Sequence, residues 1–336
     1  KSIAMKTEIL EKLCNKENLL EEEVNYFFSE LMSGNLDPLY ASAILIALKI
    51  KKPSPDEIFF ASECLLKSID AINHDKKIID LCGTGGDSKS TINVSTISSL
   101  ILAGLKVNVA KHGNRSVSSK VGSADLFESI GFNFDDDLVN AISNIEKKNI
   151  SFLFAPNFHK SMKNVANIRK SISTRTIFNI LGPLINPLRP KYQLLGVYEM
   201  DLLDPIINVL KLQGLKAAMV VHSFDGMDEI SICDKTQVVE LKNNKVTKYI
   251  FDPREYGFKL GKLENLVIDN VEDSKNTFFG IIDGSIRDER RDICILNSGA
   301  AYYLYNNKLS LMESFRFIED SIDSGLIHEN LKSICE

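Results

Sequence analysis

Three glycines stand within five residues at Gly83-Thr84-Gly85-Gly86-Asp87, directly behind the apolar run Ile78 to Cys82. Lacking a Cβ, such a loop takes positive φ and brings its backbone close to a ligand. Amide hydrogens turned inward there bind an anionic group. For this loop alone a tight turn is the plain alternative. Its spacing matches neither G-x-x-x-x-G-K-[ST] nor G-x-G-x-x-G, which disfavours a nucleotide P-loop and a dinucleotide site. Asn93-Val94-Ser95-Thr96 comes next, at a helix start. Ser and Thr in that place cap free N–H groups, and the same helix end attracts phosphate through its amides and dipole.

A third polar stretch runs from Lys111 to Gly131 behind another apolar run. Lys111, Arg115 and Lys120 supply cations, Asn114, Ser116, Ser118 and Ser119 small donors, and Gly113 and Gly122 sharp turns. Ser123 is read as the cap of a helix whose Leu126, Phe127 and Ile130 face the core. Cations, small donors and a helix start at a strand end suit a polyanion such as pyrophosphate better than a solvated loop. Asp228-Glu229 is a fourth element. Adjacent carboxylates beyond a parallel strand suit Mg²⁺, which takes one or two carboxylates plus phosphate and water. Alone, the pair would read as surface acid; the company of the anion loops makes the difference.

The elements that must position these groups follow from periodicity. Up to about residue 70 the chain reads as helices: Ile9, Leu10 and Leu13 share one face, and Val24, Phe27, Phe28, Leu31 and Met32 another. Gly34 ends the second helix and Asp37-Pro38 opens the next. Ser54-Pro55-Asp56-Glu57 is a capping box with proline at the first helical position. From Lys77 short apolar runs alternate with helices. Ile78 to Cys82, Val107 to Ala110, Phe152 to Ala155, Leu194 to Tyr198 and Ala217 to Val221 are expected as buried strands. Ser95 to Leu102 is an expected helix with Gly104 as its C-cap. Val238 to Phe251, centred on Asn243-Asn244, reads as a hairpin, and Arg291 to Tyr305 and Leu309 to Ile322 as helices, the latter stopped by Gly325. The order predicts an α/β fold: a large domain with a mostly parallel central sheet flanked by helices, plus a small all-α domain.

Composition narrows the classes. The chain has 336 residues, 44% hydrophobic and 25% charged, which fits a globular protein with a large and a smaller domain. A net charge of −5 without any concentrated Lys/Arg run argues against a nucleic-acid surface. Six scattered cysteines without a C-x-x-C pair suggest neither zinc nor a disulfide framework, hence a reducing compartment. Apolar runs such as Ala41 to Ile50 are too short to span a bilayer. The N-terminus lacks a signal-peptide pattern, so a cytoplasmic location is expected. Met5 fits a natural start, with Lys1 to Ala4 either a leftover or the tail of a longer polypeptide.

Taken in order, these segments resemble one family. The G-T-G-G-D loop, the N-V-S-T helix start, the K-H-G-N-R-x-x-S-S loop, the R-T-I-F-N-x-L-G-P-L-x-N-P segment at Arg175 to Pro187 and the later D-E pair look like anthranilate phosphoribosyltransferase over nearly the whole chain. The resemblance implies transfer of phosphoribose from phosphoribosyl pyrophosphate (PRPP) to the amino nitrogen of anthranilate, with Mg²⁺, in tryptophan biosynthesis. It implies a small helical domain of residues 1–74 with about 165–187, and a large domain of 75–164 and 188–336. Gly83, Gly86, Asp87, Thr91, Asn93, Val94, Ser95, Thr96, Lys111, His112, Gly113, Asn114, Arg115, Ser116, Val117, Ser118, Ser119 and Ser123 would surround PRPP. Gly83, His112, Asn114 and Arg169 would line the anthranilate side, with Arg169 pairing to the carboxylate, and Ser95, Asp228 and Glu229 would hold the metal. A homodimer through the helical domain and association with an anthranilate synthase component are also implied.

Two positions depart from the family pattern: Lys160-Ser161-Met162-Lys163 replaces P-A-M-K, and Ser173 replaces a glycine. Both bear on anthranilate geometry. His159 is open between a site residue and a surface or capping histidine; His74 and His328 read as surface residues, and His222 as near the acidic loop without being a ligand. No catalytic nucleophile is expected, since no Ser-His-Asp or Cys-His arrangement is evident. The rival readings are a pyrimidine nucleoside phosphorylase, which would use inorganic phosphate without the acidic pair as a metal site, and a non-catalytic paralogue that binds nucleic acid.

Overall fold

The computed structural model describes residues 2–116 and 119–335. Four helices come first: α1 (Ser2–Cys14), α2 (Glu21–Met32), α3 (Pro38–Lys51) and α4 (Pro55–Lys67). Their start signals act as read. Asp37 accepts from the amides of Leu39 and Tyr40, and Ser54 and Glu57 form the reciprocal capping box. Gly34 takes φ +73° just after α2.

Then follow β1 (Ile79–Gly83), α5 (Val94–Gly104), β2 (Val109–Gly113), α6 (Ser123–Ser129), α7 (Leu138–Lys148), β3 (Ile150–Phe154), α8 (Ala155–Phe158), α9 (Lys163–Ile172), α10 (Phe178–Leu181), β4 (Tyr192–Gly196), α11 (Leu203–Leu212) and β5 (Ala217–Ser223). The antiparallel pair β6 (Thr236–Lys242) and β7 (Lys245–Phe251) precedes α12 (Val271–Ile282), α13 (Glu289–Asn306), α14 (Leu311–Asp323) and α15 (Leu326–Cys335). Asn243 and Asn244 both sit at positive φ between the paired Lys242 and Lys245, the type I′ geometry that suits a two-residue hairpin.

The strands form one sheet in the order β3-β2-β1-β4-β5-β6-β7, parallel from β3 through β5. Strand residues alternate between two cores. Ile79 and Leu81 of β1 and Met219 and Val221 of β5 join the core under α5, α6 and α12 to α15; Cys82, Ala218 and Val220 join the other. That second core runs unbroken from the sheet into α1 to α4, Val165 and Ile168 of α9, and the segment around Ile177 to Ile185. Burial on both faces explains why the strands read as continuous apolar runs.

The chain moves outward from β1 to β2 and β3, then returns to place β4 on the other side of β1. Order reverses between β1 and β4, and in such sheets the crevice beyond the strand ends at that point takes ligands.

Three local expectations are corrected. Gly104 is the last residue of α5, not a left-handed cap; a Cβ there would lie 3.0 Å from Ile327 and 3.2 Å from Leu331, so it lets α15 pack closely. Ser123 is the first residue inside α6. Gly122 occupies the cap position, and its amide donates to Asp125. The hydroxyls of Ser95 and Thr96 do not cap α5, and Asn93 makes no side-chain cap either.

Candidate active site

The glycine loop leaves β1 at the point of strand reversal. Gly83 pairs with Gly196 of β4, and the Thr84 amide donates to the Gly196 carbonyl at 2.9 Å. Gly85 and Gly86 take φ of +67° and +79°, and the Gly85 amide donates to Asp228 Oδ2 at 3.0 Å. Asp228 arrives from the loop after β5. It fits because neither neighbour has a side chain: a Cβ on Gly83 would lie 2.5 Å from Asp228 Oδ2, and one on Gly196 would overlap the Asp228 backbone carbonyl. Gly196 was not singled out from the sequence; a glycine inside a strand run, here Leu194-Leu195-Gly196-Val197, is the signal of close backbone approach.

Three carboxylates meet beyond the strand tips. Burial, then the charge of Asp87 and a shared hydrogen bond with it, push Asp228 up to about 7. Glu229 is raised by burial and by the charges of Asp228 and Asp87, with Lys111 opposing. Lys111, buried in the middle of β2, donates to the Leu81 carbonyl at 2.5 Å and to Ser95 Oγ at 3.3 Å, which brings Ser95 to the same corner. Carboxylates that raise one another at a cleft have the donor chemistry to take up a divalent cation. Among the described residues no three His, Cys, Asp or Glu side chains enclose a metal. The pair therefore fits an ion whose remaining ligands come from phosphate and water, as Mg²⁺ prefers.

The first turn of α5 is held from outside the helix. Asn93 donates to the Val121 carbonyl at 2.9 Å and accepts from Ser274 at 2.6 Å, tying the 119–122 loop and α12 to the helix start. Thr91 bridges to Val267, and the Ile92 amide donates to the Leu266 carbonyl. With no side-chain cap among the described residues, the first turn of α5 presents backbone amides and the positive end of the helix at the crevice. Val94 and Thr96 are buried in that turn.

The loop after β2 closes on itself. Side chains on Gly113 or Gly122 would overlap Ser123 and the Ser116 amide, respectively. The Asn114 carbonyl accepts from the Ala124 amide and from Ser123 Oγ, both at 3.2 Å, and Ser116 and Ser119 share a hydroxyl contact of 2.7 Å. Arg115 and Lys120 are not free cations here. Arg115 pairs with Asp125 (3.0 Å) and Glu128 (2.7 Å), and Lys120 with Asp269 (2.9 Å). Val117 and Ser118 lie outside the described residues.

On the neighbouring side the segment from Gly182 to Ile185 is gripped through its backbone. Its four successive carbonyls accept from His112 Nδ1 (3.2 Å), Gln193 (2.7 Å), Gln213 (2.9 Å) and His159 Nε2 (3.0 Å). His159 is thus a buried residue in edge-to-face contact with His112, ring centroids 5.2 Å apart. Burial holds both neutral, pushing His112 down to about 3 and His159 to about 4. His222 is likewise buried, with Nδ1 2.7 Å from the Val197 carbonyl, and half-buried His74 is bound to the Leu188 carbonyl at 2.8 Å. His328 is half-buried on α15. Beneath the loops, buried Asp80 accepts from Asn186, whose amide also donates to the Ala110 carbonyl. Burial pushes Asp80 up to about 6.

Arg169, on α9, is half-buried with its guanidinium 5.6 Å from the Phe178 ring centre, and no carboxylate pairs with it among the described residues. Six residues on, Arg175 donates to the Gly86 carbonyl and lies 4.0 Å over the Tyr198 ring, linking this segment to the glycine loop. A separate recess behind the Gly182 to Ile185 segment is lined by Leu66, Pro183, Arg189, Lys191 and Gln213 among others.

Known proteins share this arrangement along the whole chain. The glycosyl transferase family a/b domain matches residues 75–327, and the glycosyl transferase family helical bundle domain matches 7–69. The anthranilate phosphoribosyltransferase of Thermoanaerobacter sp. is 42% identical over 333 residues, covering 99% of this chain and 98% of that protein. The crystal structure of anthranilate phosphoribosyltransferase from Thermus thermophilus superposes with a TM-score of 0.90 at 32% identity, covering 97% of this chain and 98% of that one. The Saccharomyces cerevisiae enzyme in complex with PRPP and Mg has the same fold, with a TM-score of 0.86 at 24% identity over 98% of this chain and 96% of that chain. Identity of this order, carried end to end in both partners and across both the helical and the α/β parts, places the chain in the anthranilate phosphoribosyltransferase family.

Proposed function

We infer that the protein transfers the phosphoribosyl group of PRPP to the amino nitrogen of anthranilate, giving N-(5-phosphoribosyl)anthranilate and pyrophosphate in tryptophan biosynthesis, with Mg²⁺ as cofactor. The observation that carries the inference is the meeting of the Gly85 amide, Asp228, Lys111 and Ser95 at the strand reversal, with Arg169, which has no carboxylate partner among the described residues, on the neighbouring segment.

Displacement at the anomeric carbon needs the departing pyrophosphate neutralised while the ribose passes through an oxocarbenium-like state. In this reading the amides of Gly83 to Asp87, Thr91, the free α5 start from Asn93 to Thr96, and Lys111 supply preorganised positive charge for the diphosphate. His112, Gly113, Asn114, Arg115, Ser116, Val117, Ser118, Ser119 and Ser123 complete the surround, with Arg115 exchanging its carboxylate partners for phosphate. Ser95, Asp228 and Glu229 would hold Mg²⁺, which when bound supplies Lewis acidity and a template for the leaving group. Gly83, His112, Asn114 and Arg169 receive anthranilate, Arg169 pairing with its carboxylate. Anthranilate's amine is neutral and nucleophilic, so no catalytic base is assigned. Orienting it over the anomeric carbon accounts for much of the acceleration, up to about 7–11 kcal/mol in favourable intramolecular cases.

We read residues 1–74 with about 165–187 as a helical unit and 75–164 with 188–336 as the α/β unit, the site lying between them. Exposed Ile3, Leu39 and Ile50 on the helical unit support a homodimer through that face. Association with an anthranilate synthase component and a cytoplasmic location belong to the same reading, and no nucleic-acid partner is assigned. No helix is long and apolar enough to cross a membrane among the described residues. The decisive experiment follows loss of anthranilate fluorescence on adding PRPP and Mg²⁺. Anthranilate unchanged, with thymidine and inorganic phosphate consumed instead, would replace this function with nucleoside phosphorolysis.

A further inference from the structure

Asn297 lies near the middle of α13 and is 1% exposed. Asparagine is a poor helix former, and its amide competes with the helix for backbone partners, so a buried one in mid-helix has other work. Here the side chain reaches out of its helix to a single residue. The Ile230 amide donates to Asn297 Oδ1 at 3.1 Å, and Asn297 Nδ2 donates to the Ile230 carbonyl at 2.9 Å. A third bond, from Nδ2 to the Ile293 carbonyl at 2.9 Å, fixes the amide plane on its own helix. Ile230 belongs to no strand. Among the described residues Asn297 is the partner of both Ile230 backbone groups, which without it would be buried and unpaired.

Ile230 directly follows Glu229. On the other side Asp228 is seated by the Gly85 amide and by the space that Gly83 and Gly196 leave. Glu229 is therefore strung between two anchored neighbours. Its own carboxylate accepts no hydrogen bond among the described residues, so its direction is set through the main chain. Asn297 and Glu229 also line one narrow recess with Ser95 and Gly196.

We propose that Asn297 is a positioning residue for phosphoribosyl transfer: by holding both backbone groups of Ile230 it aims the Glu229 carboxylate at the cation site shared with Asp228. The proposal rests on the reading that this pair holds Mg²⁺ with PRPP. It predicts that loosening the clamp weakens magnesium-dependent PRPP binding while leaving anthranilate recognition intact, because Arg169 lies on a different element.

The test is calorimetric titration of PRPP into the intact protein, with and without MgCl₂, for wild type and Asn297→Ala. Partners that orient metal ligands typically change affinity by about 10- to 100-fold when removed. The variant should accordingly show PRPP affinity reduced by about that factor at fixed Mg²⁺, a higher half-saturating Mg²⁺ in the steady-state rate, and an unchanged KM for anthranilate. A folded Asn297→Ala protein with wild-type magnesium dependence overturns the proposal. Should that variant fail to fold, Asn297→Asp, which keeps the volume and the acceptor but loses the donors to the Ile230 carbonyl, is judged on the same titration. If wild-type PRPP binding is itself indifferent to Mg²⁺, the metal reading of the acidic pair fails instead, a result separable from failure of the clamp.

Discussion

The carboxylate of Asp228 occupies the space in which a side chain on Gly83 would begin, its Oδ2 only 2.5 Å from where that Cβ would be. Gly83 is at an ordinary φ, so here glycine answers a need for room and not for a left-handed backbone. Gly83→Ala should displace the carboxylate by a fraction of an ångström to an ångström without disturbing the cores. Misplacement on that scale costs about 100-fold in rate. The expected outcome is kcat/KM for PRPP lowered by about that factor with the far-ultraviolet spectrum and Tm close to wild type. Full activity in the alanine variant would separate Asp228 from the chemistry.

Arg169 presents a half-buried guanidinium without a carboxylate partner among the described residues, and burial lowers its pKa from the usual range. On the proposed reading this planar cation beside the Phe178 ring receives the anthranilate carboxylate. Hydrogen bonds to charged groups are worth about 1.5–3 kcal/mol. Arg169→Ala should thus raise KM for anthranilate by about 10- to 100-fold, with PRPP affinity preserved by calorimetry. An unchanged KM would move the anthranilate pocket elsewhere.

Much of this site is readable because its loops are local words: G-T-G-G-D, N-V-S-T and the Lys111 to Ser123 stretch each carry their chemistry within a few residues. What holds them is not local. Lys111 and His112 look like loop residues, yet they lie within β2, and their polar tips find the carbonyls of Leu81 and Gly182 from distant segments. The strand, expected over Val107 to Ala110, runs from Val109 to Gly113. Asn297 sits in an unremarkable helical run, and only the fold brings it to Ile230, 67 residues away. Arg115 was readable as a cation but not as one already paired with Asp125 and Glu128, since charge alone does not name a partner.

His112 and His159 make an opposite kind of prediction, about stability. Both are held neutral in the fold, with pKa values pushed down to about 3 and about 4, while an unfolded histidine titrates near 6.5. Between those values the unfolded chain binds more protons, so their contribution is fully present above about pH 6.5 and lost as pH falls toward the folded values. Asp80, pushed up to about 6, works in the opposite sense, its charge penalty easing as pH drops. A comparison that leaves the carboxylates in place removes that opposing effect. His159→Gln keeps a donor for the Ile185 carbonyl but cannot titrate. Its stability relative to wild type should improve by about 2 kcal/mol between pH 7 and pH 5, measured by urea denaturation at both values. A constant difference across that range would mean that His159 does not resist protonation.

Ser173 replaces the glycine usual in the resembled family, and it ends α9 at φ +55°, ψ +21°, its amide donating to the Arg169 carbonyl. The left-handed cap survives without glycine, so the departure does not redirect the segment that carries Arg175. It does carry a conformational cost of about 1–2 kcal/mol for a residue with a Cβ. The Ser173 hydroxyl recovers part of this by donating to the Lys170 carbonyl at 2.7 Å, and glycine would in turn lose more chain entropy on folding. Ser173→Gly should therefore stabilise the protein only modestly, by about 0.5 kcal/mol, raising Tm by about 1–2 °C. KM for anthranilate should stay unchanged, because the cap geometry is the same in both. A shifted KM would show that the serine side chain itself reaches the proposed anthranilate pocket, and a fall in Tm that its bond to the Lys170 carbonyl outweighs the left-handed strain.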